Sequence, residues 1–347
     1  MKIDRVHFYT KDAVKTKDWF IRYVGFKAIA NYTNNRTHTE VVSLNSVCLV
    51  FSSPLTDSSP VANYLNSHPS GVVDVAFRVK DIKSIVERAM SLGLKILQPL
   101  HTWKTSQGEF EQVQIQGWDS LRHTLIKKSS GKDLDTKVAV DFTHSQITHI
   151  DHVVLNVPVG KIDLAVKLYQ ALFGFKIQQS FNIKTKTSGL YSQALIDESG
   201  GVQFNINEPA SSNSQIQEFI DLNNGAGIQH LALRSQSLIE DVTRMQQENV
   251  DFLKIPQTYY SQLDKTLNLT REEWQAIAKQ QILVDRDSNS PQSLLMQIFT
   301  QPIFELPTFF LEFIERRHNA KGFGQGNFKE LFAAVEREQT KPHTIAI

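Results

Sequence analysis

The sequence predicts an α+β fold in which duplicated β-α-β-β-β modules form two open, barrel-like domains, with a C-terminal helix closing the second. The first observation is that the segment at 3–8, IDRVHF, matches the segment at 150–155, IDHVVL. The second is that GVVDVAFR at 71–78 matches GIQHLALR at 227–234. Self-similarity of this kind indicates one supersecondary unit that is used repeatedly.

Helices with apolar residues at helical spacing follow each of these four strand-like segments. We predict them at 13–23, 82–92, 162–173 and 238–248. The first and third run into Gly-Phe-Lys, at Gly25 and Gly174, and a glycine just past a helix is a common C-terminal stop. Short β-branched and apolar runs between the helices, such as 41–44 and 202–206, predict the remaining strands.

The domain boundaries follow from two further segments. The polar run 127–135 lacks apolar periodicity and indicates a linker. Residues 327–338 carry apolar side chains at helical spacing, which predicts a final amphipathic helix packed on the second half. We therefore expect a first domain over 1–128, a linker over 129–146 and a second domain over 147–347.

Composition narrows the class of protein. The chain has 347 residues, 41% hydrophobic and 21% charged, which is an ordinary globular composition, and its formal net charge of +1 does not favour nucleic acid or an anionic membrane. Charges among the first twenty residues argue against a secretory signal, and no apolar run is long enough to cross a membrane. We expect a soluble, cytoplasmic protein, in which the single cysteine, Cys48, is a buried and inert thiol.

Candidate metal ligands occur in the second half alone. His152 and His230 stand where the matched segments of the first half have Arg5 and Asp74, and Glu312 lies within an apolar strand-like run. A carboxylate in such a setting is costly unless it is paired or bound to a cation. Two imidazoles and one carboxylate are the ligand set of non-haem Fe(II) oxygenases.

Ordinary explanations compete with a metal site at this point. The chain has eleven histidines, and a single histidine on a strand is more often a hydrogen-bonded core or surface residue than a ligand. Glu312 could equally be an ion-pair partner of Arg316 or Arg317. The restriction of both histidines to one copy of a duplicated unit favours the metal site.

Five motifs of the second half closely resemble the 4-hydroxyphenylpyruvate dioxygenase family of the vicinal oxygen chelate superfamily. They occur in the family's order: DHVV at 151–154, NEP at 207–209, GAGIQH at 225–230, FLEFIER at 310–316 and GFGQGNF at 322–328. The first half resembles the family mainly through its repeat architecture.

The resemblance implies an enzyme in which His152, His230 and Glu312 bind Fe(II). The substrate would be 4-hydroxyphenylpyruvate, which chelates the iron through its own 2-oxo acid group while O2 takes a further position. The products would be homogentisate and CO2, in the breakdown of tyrosine. Since members of the family form dimers or tetramers, the resemblance also implies a homo-oligomer.

The resemblance further assigns residues around the metal, some to catalysis and some to substrate binding. The catalytic set is Gln215, Gln229, Gln297, Phe299 and Phe328. The substrate-binding set is Val154, Ser192, Asn207, Phe310, Phe323, Asn327 and Leu331. The aromatic members would orient the substrate ring, and the neutral polar members would hold its phenol end.

The sequence departs from the family pattern at two places, and two alternative functions remain open. Asn205 stands where many members of the family have proline, and the loop at 318–321 is short. Hydroxymandelate synthase uses the same triad and substrate but oxidises the benzylic carbon, although the combination of Ser192, Asn207 and Phe299 favours ring hydroxylation. A metal-free small-molecule binding protein on the same scaffold is the alternative from another class.

Overall fold

The fold is described from a computed structural model for residues 1–106, 108–130, 145–184, 189–263, 266–286, 290 and 292–327. Within these ranges the chain forms two eight-stranded sheets, one from each half. The strands of the first sheet are β1 Lys2–Tyr9, β2 Lys27–Thr33, β3 Thr37–Leu44, β4 Val47–Pro54, β5 Gly71–Arg78, β6 Ile96–Thr105, β7 Gly108–Gln116 and β8 Arg122–Ser130. The strands of the second sheet are β9 Ile147–Asn156, β10 Lys176–Lys184, β11 Gly189–Ile196, β12 Gln203–Pro209, β13 Gly227–Ser235, β14 Leu283–Asp285, β15 Leu294–Phe299 and β16 Phe310–Arg317.

The helices in the described part of the chain lie between these strands. They are α1 Ala13–Trp19, α2 Pro60–Leu65, α3 Ile82–Ser91, α4 Ile162–Phe173, α5 Gln215–Asn223, α6 Leu238–Gln247, α7 Gln257–Gln262 and α8 Arg271–Gln280. A π-helical turn, Phe20–Val24, continues α1, and a 3-10 turn covers Gln325–Asn327.

The two sheets have the same topology. The first has the strand order β2-β3-β4-β1-β5-β8-β7-β6, and the second has the order β10-β11-β12-β9-β13-β16-β15-β14. In both, the two central strands are antiparallel and each lies parallel to the last strand of its own module. Each half is therefore a pair of β-α-β-β-β modules, and the predicted duplication and α+β class are confirmed.

Helix ends follow local capping. The Asp12 carboxylate accepts from the backbone N–H of Lys15 at the start of α1, as the Asp81 carboxylate does from Ser84 at the start of α3. The predicted helix 13–23 is α-helical only as far as Trp19, because the chain then widens into the π-helical turn. That turn ends at Gly25, where φ is +94°.

One continuous apolar core runs through both halves. At the junction between the halves, the ring of Phe77 packs edge-on against Phe173. His123 lies buried between the backbone carbonyl of Val75 and the hydroxyl of Tyr169, with both distances 3.0 Å. Contacts of this kind fix the second sheet, which carries the candidate ligands, against the first.

Two expectations reach beyond the described residues, and a third, on Cys48, differs from the structure. Strand β8 continues to Ser130, into the expected linker, and 131–144 lie outside the described residues. The predicted helix 327–338 also lies outside them, apart from Asn327, which closes the 3-10 turn. Cys48 is half-buried rather than fully buried, and burial raises the pKa of its thiol to about 11. Among the described helices none has the length and apolar character needed to span a membrane.

Candidate metal site and substrate pocket

Three neighbouring strands of the second sheet bring the predicted ligands together. Ala232 on β13 pairs with His152 on one side and with Glu312 on the other. His230 lies two residues before Ala232 and faces the same side of the sheet, as alternation along a strand requires. Nε2 of His152 is 3.3 Å from Oε2 of Glu312, and Nε2 of His230 is 3.5 Å from it.

The donor set fits a metal ion. One ligand atom from each of the three residues lies within 4.8 Å of the others, and the described residues contain no second such group. His152 and Glu312 are each 2% exposed. Burial alone would raise the pKa of Glu312, but the facing imidazoles of His152 and His230 hold it at about 2. An ionised carboxylate at this depth requires positive charge beside it, which a cation would supply.

The two histidines differ in their electrostatic setting. Burial lowers the pKa of His230, and the hydrogen bond and charge of Glu312 only partly oppose this effect. Burial acts in the same direction on His152, but Glu312 and Asp151 outweigh it and raise the pKa of His152 to about 9. Nδ1 of His152 donates to Oδ1 of Asp151 at 3.0 Å. Nε2 is thereby directed towards Glu312, as a metal-bound imidazole requires.

Gln297 fixes the carboxylate. Its Nε2 donates to Oε1 of Glu312 at 2.8 Å, so Oε2 is the oxygen turned towards the two imidazoles. The same Nε2 donates to the backbone carbonyl of Phe323 at 3.1 Å, and Oε1 of Gln297 accepts from Nδ2 of Asn327 at 3.2 Å. Gln297 therefore supports a ligand rather than pointing freely into the pocket.

A cavity opens directly beside the three ligands. Its wall includes all three and nine of the other predicted site residues: Val154, Ser192, Asn207, Gln215, Gln229, Gln297, Phe299, Phe310 and Phe323. Asn327 is buried behind this wall against Gln297. Phe328 and Leu331 lie outside the described residues. Because every strand of the second sheet except β14 contributes to this wall, the sheet must curl around the cavity.

Aromatic rings form the side of the cavity near His230. The ring of Phe310 stacks on the imidazole of His230, with centroids 4.7 Å apart and planes at 18°. Phe299 meets the same imidazole edge-on at 6.5 Å, and Phe323 meets His152 edge-on at 5.2 Å. These rings leave an apolar slot of the kind that orients an aromatic ligand.

Gln229 reaches the cavity through an irregularity in β13. Strict alternation would place Gln229 and the adjacent His230 on opposite faces of the strand. The register between β13 and β9 shifts between Ile228 and His230, and a bulge of this kind re-aims a side chain. Both residues therefore line the cavity. Gln215 lines the cavity from a helix rather than from a strand, since it is the first residue of α5.

Five residues of the cavity wall were not predicted as site residues: Phe181, Ile183, Leu190, Asn205 and Ile216. Asn205 is buried, and its Oδ1 has no hydrogen-bond partner among the described residues. The sequence indicated this position only as a departure from the family's proline, two residues before Asn207 on the same face of β12. Phe181 and Ile183 also alternate, but their edge strand β10 joins the pocket only because the sheet curls.

In the first half, the position equivalent to the candidate metal site is occupied by other side chains. Ala76 pairs with Arg5 as Ala232 pairs with His152, so Arg5 and Asp74 occupy the places of the two histidines. The Asp74 carboxylate accepts from Nε2 of Gln114 at 2.7 Å and from the backbone N–H and hydroxyl of Thr124. Its hydrogen bonds are complete within the sheet.

Comparison with known proteins finds the same superfamily in each half of the chain. A sequence model of the Glyoxalase/Bleomycin resistance protein/Dioxygenase superfamily matches residues 2–113 and again 149–267. The chain is 35% identical to the 4-hydroxyphenylpyruvate dioxygenase of Dictyostelium discoideum, over 97% of both chains. It is 33% identical to that of Yarrowia lipolytica, over 97% of this chain and 92% of the relative. The chain belongs to the 4-hydroxyphenylpyruvate dioxygenase family.

A solved structure of a different enzyme class has the same fold. A mutant 4-hydroxymandelate synthase from Streptomyces coelicolor superposes with a TM-score of 0.84 at 26% identity, covering 97% of this chain and 98% of the other. The family assignment makes the chain a member of a group of dioxygenases, and it agrees with the clustering of His152, His230 and Glu312 on one curled sheet.

Proposed function

We propose that this protein converts 4-hydroxyphenylpyruvate and O2 to homogentisate and CO2, with Fe(II) held by His152, His230 and Glu312. The observation that carries the proposal is the buried group of two imidazoles and one carboxylate beside an aromatic cavity. Fe(II) in such a site supplies adjacent coordination positions at which a 2-oxo acid and O2 can meet. The substrate contains its own 2-oxo acid, so no separate 2-oxoglutarate is needed.

The side chains of the cavity have complementary tasks in this proposal. Phe299, Phe310 and Phe323 orient the substrate ring and exclude water from the ligands. Ser192, Asn207, Gln215 and Gln229 supply neutral hydrogen-bonding groups for the phenol end, and Val154 adds an apolar side chain to the same wall. Gln297 keeps Oε2 of Glu312 directed at the metal position. As the family resemblance implies, we also assign Phe328, together with Phe299, to the aromatic pair that flanks the substrate ring. Phe323, Asn327 and Leu331 are assigned to the segment that closes the pocket.

Hydroxymandelate synthase is the second candidate, since a member of that class shares the fold over nearly the whole chain. The simultaneous presence of Ser192, Asn207 and Phe299 on the cavity wall favours ring hydroxylation over oxidation of the benzylic carbon. A metal-free binding protein is disfavoured, because it would have no need for a carboxylate held buried between two imidazoles.

The proposal extends to the organisation of the protein. The first domain, 1–128, would serve as a scaffold, 129–146 as the linker and 147–347 as the catalytic domain. We further propose a cytoplasmic dimer or tetramer. Support for self-association comes from a mainly apolar groove at the junction of the halves, whose exposed members include Leu92 and Leu164.

Anaerobic loading with Fe(II), followed by 4-hydroxyphenylpyruvate and then air, tests the proposal. Oxygen uptake is recorded with an electrode and the aromatic product is identified by chromatography. Homogentisate formed in a one-to-one ratio with the oxygen consumed is the expected result. Hydroxymandelate would keep the triad and change the reaction, whereas iron binding without oxygen uptake would exclude this substrate.

A further inference from the structure

Residues 320–327, called the strap here, follow shortly after β16 and contribute Phe323 to the cavity wall. Phe323 is the buried centre of the strap, 4% exposed, with its ring edge-on to the imidazole of His152. The strap contributes no candidate ligand, yet two of the side chains that hold ligands in place also hold its backbone. These two side chains belong to Arg316 and Gln297.

Arg316 makes the first connection. Its Nε and Nη2 donate to the two carboxylate oxygens of Asp151 at 2.9 and 2.7 Å, and Asp151 in turn accepts from Nδ1 of His152. Its remaining nitrogen, Nη1, donates to the backbone carbonyls of Gly322 at 2.6 Å and Ala320 at 3.3 Å. The guanidinium of Arg316 thus connects Asp151, the hydrogen-bond partner of His152, to the backbone of the strap.

Gln297 makes the second connection. Its single amide nitrogen donates both to Oε1 of Glu312 and to the carbonyl of Phe323, while its oxygen accepts from Asn327. Asn327 is held in turn by the hydroxyl of Tyr259, which donates to its Oδ1 at 2.8 Å. Two of the three ligands are therefore linked to the strap, each by its own hydrogen-bond chain.

The geometry makes the two contacts of Arg316 interdependent. A guanidinium is rigid, so turning Nη1 away from Gly322 also breaks the two-point contact with Asp151. Asp151 and Arg316 are both nearly buried, and a buried ion pair of this kind adds little net stability. What it does supply is a fixed orientation for His152.

We propose that metal binding at His152 and Glu312 is thermodynamically linked to seating of the strap, with Asp151 and Arg316 as positioning residues that transmit the coupling. The inference rests on the metal site proposed above and not on the identity of the substrate. Linkage is reciprocal, so the factor by which the seated strap tightens metal binding equals the factor by which metal protects the strap. A factor of about ten is expected, within the usual range for coupled sites.

Hydrogen exchange of the strap, measured by mass spectrometry with and without Co(II) as the probe metal, tests the coupling. In the wild-type protein we expect Co(II) to slow exchange of the strap amides about tenfold. Arg316→Lys keeps the charge but loses the two-point contact, so Co(II) should bind about tenfold more weakly and the metal-dependent protection should disappear. Co(II) affinity is read from its absorption spectrum, independently of activity.

Arg317→Lys is the matched control. Arg317 is the next residue of β16, but its guanidinium pairs with Glu315 and Glu273 and makes no contact with Asp151. This variant should retain both the Co(II) affinity and the protection. Wild-type protein that binds Co(II) without any protection of the strap would overturn the coupling and leave the proposed function intact. If the wild-type protein does not bind Co(II), both the coupling and the proposed metal site are overturned. The comparison of the wild-type protein with and without Co(II) tests the coupling even if Arg316→Lys fails to fold.

Discussion

Gly324 lies so close to Gln297 that a Cβ atom on its backbone would stand 1.8 Å from Oε1 of Gln297. Gly324→Ala must therefore displace Gln297, and with it the hydrogen bond that orients Glu312. We expect kcat/KM to fall by about ten- to a hundredfold, as for other partners of metal ligands. Gly93→Ala is the control, because both glycines have φ of +75° but the Cβ at Gly93 would meet nothing within 4 Å. Equal kcat/KM in the two variants would contradict the role of Gln297.

His230→Ala should lose more activity than any variant of a supporting residue, because it removes a proposed ligand. The loss in turnover should exceed the hundredfold typical of outer partners, while the fold and the far-ultraviolet circular dichroism remain unchanged. His149→Ala provides the comparison on β9, where His149 is exposed and bonds the hydroxyl of Thr148. Undiminished turnover of the His230 variant would rule out the proposed ligand set.

Tyr169→Phe should weaken the junction between the halves. Nδ1 of His123 faces the carbonyl of Val75 and must carry the proton, so Nε2 accepts from the hydroxyl of Tyr169. Removing that hydroxyl leaves Nε2 buried without a donor, which costs about 1 to 3 kcal/mol in the free energy of unfolding. Urea denaturation measures the loss, with Tyr32→Phe on the exposed strand β2 as the control. Equal midpoints for the two variants would show that the hydrogen bond contributes nothing.

Acid should destabilise the protein through His7. Burial lowers the pKa of His7 to about 4 in the folded state, with Asp74 opposing the shift and Arg5 reinforcing it, whereas the unfolded value is 6.5. The unfolded chain therefore binds the proton first, so stability is full above about pH 6.5 and falls as the pH drops towards 4. The decrease attributable to His7 is at most about 3 kcal/mol.

Urea titrations at pH 7 and pH 5 measure this dependence. His7→Gln should flatten the dependence on pH, although His123, whose pKa is also lowered by burial, retains part of it. His101→Gln, at an exposed position of β6, should behave as the wild type. The role of His7 would be refuted by identical pH dependence in the two variants.

The repeat made the architecture readable from the sequence. Helix 162–173 was predicted to the residue, and the register through Ala232 agrees with the matching of His152 to Arg5. Helices α2, α5, α7 and α8 were not predicted. Of these, α7 has no side-chain cap and α8 is largely polar. The capping box that begins α8 was the available signal.

The cavity wall was harder to predict than the ligands. Alternation identifies which side chains share a face, but it does not say how strongly a sheet curls or where its register shifts. Phe181 reaches the cavity through curling, and the bulge at Gln229 reverses the face that alternation would assign. The contacts of Arg316 with the strap join residues that no local pattern relates.

The carboxylate of Asp74 in the first sheet has all its hydrogen bonds within the protein, and this affects how stability and binding are distributed between the two sheets. A site that stays open for a ligand must keep charged groups buried and incompletely bonded, and such sites are destabilising until they are occupied. In the first sheet, Gln114 and Thr124 donate hydrogen bonds to Asp74 at the corresponding position, so no buried charge is left incompletely bonded there. The first sheet therefore contributes stability without this cost, and substitutions around the open site of the second sheet depend on that stability.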